Sequence, residues 1–241
     1  MKYIRMAAWC SIAGFILSMA PSVGPVVAQQ KSNEANDRKT ETAVSAPVYR
    51  PPKRGAPGGR VGGGTRGFQR EVFVLSVLAP DHTGLTVSEQ PFLYWFISNP
   101  TSFPVELTVM DLQAVQPILE IRVPPPVQAG VHRVRLADYG IRLSSGAAYR
   151  WYVAVVPDPD RRSKDILAGG AIERVEVPEG IKSKLAQAGN ADLPSLYAEA
   201  GIWYDALRAI SDLIEAAPQD RELRKRRAAL LAQVKLPAVE E

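Results

Sequence analysis

Ile118-Leu119-Glu120-Ile121-Arg122-Val123, then Pro124-Pro125-Pro126, then Val131-His132-Arg133-Val134-Arg135-Leu136: two alternating runs on either side of three prolines decide the fold. Side chains that alternate with period two lie on opposite faces of a strand, so each run reads as a strand with one dry face. Proline cannot donate to a ladder, so the three in a row end the first strand and force a connection. The same grammar extends outward in both directions. Val72 to Leu78 ends at Pro80-Asp81, and Phe92 to Ile97 ends at Asn99-Pro100. Val105 to Val109 alternates, Ala148 to Val156 is aromatic and β-branched, and Ile172 to Val177 alternates up to Pro178. Short runs with period-two patterning and no helical segment between them predict an Ig-like antiparallel β-sandwich over residues 71–178.

Beyond Pro178 the apolar period lengthens toward that of a helix. Helices are predicted over about 181–188, 192–200 and 202–216, the last two parted at Gly201. Pro218-Gln219-Asp220 opens another to about Val234. Leu223, Leu230, Leu231 and Val234 mark a narrow apolar stripe, and Arg224, Lys225, Arg226 and Arg227 are expected to be mostly solvated around it. The helical tail thus covers 179–235, and 236–241 is expected to be disordered.

The other end of the chain is organised differently. Lys2 and Arg5 precede an apolar run from Met6 to Ala20, helix-breaking Pro21, Gly24 and Pro25, and small residues at Val26-Val27-Ala28. This is the three-part layout of a signal peptide over 1–28. Its apolar run is shorter than the roughly 20 residues of a membrane span. An uncleaved anchor is the alternative reading. Residues 29–46 are polar and predicted disordered. Residues 47–70 hold four prolines, seven glycines and six basic residues with no acid, an arm that is either extended or laid on the domain surface. Arg54, Arg60 and Arg66 in the arm, with Arg224 and Lys225 in the last helix, are the candidate interaction residues.

Charge and cysteine content narrow the function classes. Without Lys2 and Arg5 the 29 basic residues fall to 27, against 25 acidic, so nothing supports nucleic-acid binding. Cys10 is the single cysteine and sits in the leader, so the mature chain has no disulfide, thiolate nucleophile or cysteine-bound metal. A short leader and a cysteine-free mature chain point to a bacterial envelope protein, periplasmic or extracellular.

Three stretches carry a family resemblance. They are Arg54 to Gly67; Tyr149-Arg150-Trp151-Tyr152 with the following Asp158-Pro159-Asp160-Arg161-Arg162-Ser163; and Gly201-Ile202-Trp203-Tyr204-Asp205-Ala206. In this order and spacing they resemble the bacterial domain-of-unknown-function family 928 (DUF928) over residues 50–232. The resemblance implies no catalytic residue, metal or cofactor. Gly201, Trp203, Ala206, Ile210, Leu213 and Pro218 resemble the second half of a tetratricopeptide repeat. That resemblance implies two helices meeting at the small Ala206, with Pro218 stopping the second. A repeat array usually needs about three units, so a hairpin packed on the sandwich is the expectation, with a peptide-binding groove the alternative.

Motifs for chemistry are weak. Gly62-Gly63-Gly64-Thr65-Arg66-Gly67 fits a dinucleotide string, but no strand precedes it and no helix follows to receive a phosphate. Asp158, Asp160 and Asp165 cluster in one turn as calcium ligands do. Arg161, Arg162 and Lys164 compete for them, so a turn with internal ion pairs is expected. His82, in the polar turn Asp81-His82-Thr83-Gly84, and His132 are the only histidines, and no carboxylate or serine pattern marks either as a base. A deep pocket gathering His132, an Asp and a Ser would favour an enzyme. Trp151 fits the central tryptophan of an Ig-like sandwich, and Trp203 is expected to pack. No catalytic, metal or cofactor residue is assigned. The reading is a non-enzymatic module that binds another envelope protein or an anionic envelope polymer, with no transmembrane span after the leader. A module binding a small ligand or glycan through sheet aromatics, an exposed tryptophan with Tyr149 or Tyr152, is the alternative, and an enzyme comes third.

Overall fold

The computed structural model describes residues 45–53, 60–62, 66–68 and 71–236. The expected signal peptide, the polar stretch to residue 44, Arg54 and residues 237–241 lie outside the described residues. The chain runs through β1 (Val61–Gly62), β2 (Arg66–Phe68), β3 (Glu71–Phe73), β4 (Leu75–Val77), β5 (Gly84–Thr86), β6 (Phe92–Ile97), β7 (Val105–Asp111), β8 (Leu119–Val123), β9 (Gly130–Arg135), β10 (Ala148–Val155) and β11 (Ile166–Arg174). Four helices follow: α1 (Glu179–Gln187), α2 (Leu193–Glu199), α3 (Trp203–Ala216) and α4 (Arg221–Ala232). This is an antiparallel, Ig-like β-sandwich with a small helical tail. The larger sheet has the order β1-β11-β10-β7-β8, with β5 beside β11 as its one parallel pair. The smaller sheet is β4-β6-β9, and β2 and β3 form a separate ribbon.

The alternation expected from sequence becomes burial. Val105, Leu107 and Val109 of β7 are buried, as are Tyr149, Trp151, Val153 and Val155 of β10. Leu119 is the buried residue of β8, and Val134 and Leu136 turn inward around β9. The run Phe92 to Ile97 does not alternate because β6 is covered twice. Leu93, Trp95 and Ile97 enter the sandwich core, while Tyr94 and Phe96 are also buried on the second face. Leu207, Ile210, Ile214, Leu230 and Leu231 of α3 and α4 join the same continuous core as the strands. Residues 44–241 accordingly form one compact unit. Burying a large side chain of this kind contributes about 1.5–3 kcal/mol each.

The structure departs from the sequence reading in four places. The run Val72 to Leu78 is split between β3 and β4. β1 and β5, of two and three residues, are too short to alternate, and they line the edge of β11. β11 begins at Ile166, ahead of its predicted start, and runs through Gly169-Gly170. Those glycines are cut for neighbours. A Cβ on Gly169 would lie 2.5 Å from the Tyr152 ring, and one on Gly170 would lie 2.7 Å from Ala79 Cβ. Finally, Leu236, assigned to a disordered tail, is buried.

Candidate functional site

The arm decides how the helices are held. Tyr49 is the one aromatic residue between positions 29 and 67, and it is buried. Its ring meets Trp203 edge-on at 5.0 Å, and its hydroxyl shares a hydrogen bond of 2.9 Å with His82 Nε2. Burial pushes that hydroxyl's pKa up. Tyr49 N donates to Gln233 Oε1, Gln233 Nε2 donates to Pro47 O, and Arg50 N donates to Ala198 O. Gly201, with φ of +75°, stands where a Cβ would lie 2.8 Å from Arg50 O. Of the two sequence alternatives, the described parts of the arm lie on the domain. Arg60 is corrected from an interaction residue to a clasp. Its guanidinium donates to Ala79 O, Val234 O and Lys235 O at 3.2–3.3 Å. Arg66 occupies β2, and its side chain, like all of Arg54, is outside the description.

The first turn of α3 plugs the sandwich. Trp203 Nε1 donates to Leu78 O at 2.9 Å. Trp151 Nε1 donates to Tyr204 Oη at 2.9 Å, and Tyr204 Oη donates to Ala171 O at 3.0 Å. Burial raises the Tyr204 pKa. One residue on, buried Asp205 accepts from Thr86 Oγ1 at 2.8 Å and Val87 N at 3.0 Å. Burial raises its pKa, with these hydrogen bonds opposing. Ala206 is fully buried, and Pro218 is exposed in the turn between α3 and α4.

The basic residues of α4 also need correction. Arg226 and Arg227 are buried, and Arg227 Nη1 reaches Ser211 Oγ at 3.5 Å. Arg224 donates to Pro218 O and so ties α4 to the preceding turn. Lys225 is exposed and pairs with Glu222 at 2.7 Å. The stripe of α4 is therefore wider than leucines alone, because long arginine stems bury beside them.

A groove of about 290 Å³ runs between α2 and α3. Leu193, Tyr197, Ala209, Leu213 and Ala216 give it apolar walls, and Asn190 and the Arg208–Asp212 pair give it polar ones. Arg208 also stands over the Phe92 ring at 5.1 Å, with Arg133 at 5.3 Å and Arg135 at 5.7 Å. Arg133 pairs with Glu215, while Arg135 has no ion pair among the described residues. A second hollow of about 170 Å³ collects Tyr94, His132, Ser211 and Glu215. They do not form a nucleophile–base pair. His132 stacks on Trp95 at 5.3 Å with Nε2 2.7 Å from Gln128 O, Ser211 Oγ donates to Leu207 O, and Glu215 holds Arg133. The Asp158 turn is closed by ion pairs from Arg161 and Lys164, and Arg162 takes Asp165. Among the described residues no group of three or more His, Cys, Asp or Glu could hold a metal, and no helix is long and apolar enough to cross a membrane.

A family model described as Domain of Unknown Function (DUF928) matches residues 61–241. The chain belongs to the DUF928 family. No curated protein matches this DUF928 chain. Among solved structures, it is similar to a DUF3244-family protein with an immunoglobulin-like β-sandwich fold from Bacteroides vulgatus. The identity is 10%, the match covers 35% of this chain and 83% of that one, and the TM-score is 0.22.

Proposed function

We propose that this DUF928 chain is an exported, non-enzymatic envelope module whose α2–α3 hairpin, built like half of a tetratricopeptide repeat, binds an acidic segment of a partner protein. The groove between α2 and α3 is the observation that carries the reading. It offers apolar walls to anchor side chains, and of the three guanidiniums gathered over Phe92 beside it, Arg208 and Arg133 are paired with Asp212 and Glu215, while Arg135, with no ion pair among the described residues, leaves a net positive charge to meet a carboxylate. The repeat-like residues support the hairpin. Gly201 turns the chain, Trp203 and Ala206 are buried, and Leu213 lines the groove. The leader at 1–28 supports export, and the mature chain is proposed to start at Gln29.

Crosslinking in intact cells, with identification of the trapped protein, tests this. Wild type traps a partner with an acidic segment, and Ala209→Trp, which fills the groove, does not. Equal trapping by both, at equal melting temperature, refutes the groove. Intact mass of envelope-fraction protein tests export, since retention of residues 1–28 contradicts cleavage.

A further inference from the structure

On the outer face of the larger sheet, far in sequence from the hairpin, the structure holds a third hollow. Its volume is about 240 Å³, and it is lined by Glu106 and Thr108 of β7, Tyr152 and Ala154 of β10, Leu167 of β11, and Arg162 and Asp165 of the preceding turn. We propose that this hollow is a binding site for one ring of a neutral saccharide, with Tyr152 as the stacking platform and Arg162, Glu106 and Thr108 as the hydroxyl-binding rim.

Three observations carry it. The first is the platform. Tyr152 and Gly169 face each other across β10 and β11, and a Cβ on Gly169 would fall 2.5 Å from the ring. Glycine there lets the ring lie down on the sheet and present its other side. A flat aromatic face meeting the C–H groups of a sugar buries apolar surface while leaving the hydroxyls free for polar partners.

The second is the rim. Arg162 Nη2 donates to Glu106 Oε2 at 2.6 Å, and Arg162 Nε lies 2.9 Å from Asp165 Oδ2. One planar guanidinium is thereby fixed between two carboxylates, so its position is set before any ligand arrives. Glu106 retains an oxygen that Arg162 does not use, Thr108 brings a hydroxyl, and Asp165, whose Oδ1 is buried, holds Arg162 in place. Acceptors and donors side by side match hydroxyl groups, each of which both donates and accepts.

The third is charge. Arg122 sits opposite Glu106 on β8. Glu106 and Asp165 are thus balanced by Arg162 and Arg122, and a locally neutral site favours neither an acidic nor a basic ligand. The volume falls below the ~300–1,000 Å³ of pockets that take drug-sized molecules, which fits a single ring. Leu167 is 42% exposed beside the platform and extends its apolar surface.

The test is protein-observed NMR titration of the mature chain with cellotetraose, maltotetraose and chitotetraose, with tetragalacturonate as an anionic control. At least one neutral probe is expected to shift the amides of Thr108, Tyr152 and Leu167, with tetragalacturonate weaker. Tyr152→Ala is expected to weaken binding about tenfold or more, which is about 1.4 kcal/mol. Arg162→Gln should weaken it as well, which keeps the test open if Tyr152→Ala proves unstable. Ala209→Trp in the α2–α3 groove should leave it unchanged, so this site fails or stands apart from the hairpin. Silence of all three neutral probes at these amides overturns the proposal, as does binding that survives both Tyr152→Ala and Arg162→Gln.

Discussion

Tyr204→Phe removes one oxygen and almost no volume, so it isolates the buried relay that fastens α3 to the sandwich. In the native chain Trp151 Nε1 donates to Tyr204 Oη, which donates to Ala171 O, and all three groups are shut away from water. The ring stays, so packing is retained. Leaving the Trp151 N–H without an acceptor costs about 1–3 kcal/mol, and losing the bond to Ala171 costs about 1 more. The expected loss is therefore roughly 2–4 kcal/mol. For a chain of this size that corresponds to a melting-temperature drop of about 4–16 °C. Thermal unfolding followed by circular dichroism measures the drop. Tryptophan fluorescence in the native state checks that Trp151 stays buried. A silent Tyr204→Phe would mean that the relay is absent and that α3 docks by shape alone. A Tyr204→Ala control must then still be costly, since it empties the space as well.

Other perturbations separate the parts of the molecule. Trp203→Ala should cost roughly 3–5 kcal/mol through the cavity it opens beneath Tyr49 and Leu78, and Ala206→Leu roughly 1–3 kcal/mol by overpacking a buried position; melting temperatures that do not move would contradict the docking of α3. Arg60→Ala should detach the arm from Ala79, Val234 and Lys235, making the bonds near Arg54 and Arg66 faster to cleave in limited proteolysis; unchanged cleavage would return Arg60 to the surface. Asp205 has its pKa raised by burial, so its contribution is full below the unfolded value of about 3.9 and is lost as pH rises through the folded value. Denaturant unfolding from about pH 4 to 8 should show Asp205→Asn gaining on wild type as pH rises, and parallel profiles would be wrong for this account. Glu106 behaves oppositely, because the hydrogen bond from Arg162 holds its pKa down, so its contribution is lost as pH falls through the folded value. Glu106→Gln should therefore narrow its deficit against wild type in acid.

The sandwich was readable in the sequence because alternation reports one-sided burial directly. The alternating Val105, Leu107 and Val109 of β7 take the buried face that their parity implies. The reading weakened wherever tertiary cover changed the rule. β6 looked like a plain apolar run because α3 and α4 cover its second face, and nothing local in Phe92 to Ile97 says what lies above. β11 was truncated because clean alternation starts only at Ile172, and Gly169 and Gly170 before it answer to Tyr152, Trp151 and Ala79 across the sheet. The arm was underestimated for a related reason. Its composition is that of a linker, and a single aromatic, Tyr49, with Arg60 converts it into a strap. The arginines of α4 misled because long side chains carry both an apolar stem and a charge. Neither candidate site was legible as a site. The groove needs α2 and α3 side by side, and the Tyr152 hollow draws residues from three strands and a turn between positions 106 and 167. A clue was present in Tyr152 and the tandem glycines, but only the strand register pairs them.

The claim that the α2–α3 groove is the binding face is tested most directly by placing a photo-crosslinking amino acid at Tyr197, inside the groove, and at Lys225, exposed on α4. After irradiation of intact cells, the account predicts a discrete adduct with an acidic partner from position 197. It also predicts that the adduct disappears when Ala209→Trp fills the groove and that position 225 yields none. Adducts from 225 alone, or an adduct at 197 indifferent to Ala209→Trp in a folded protein, would contradict it.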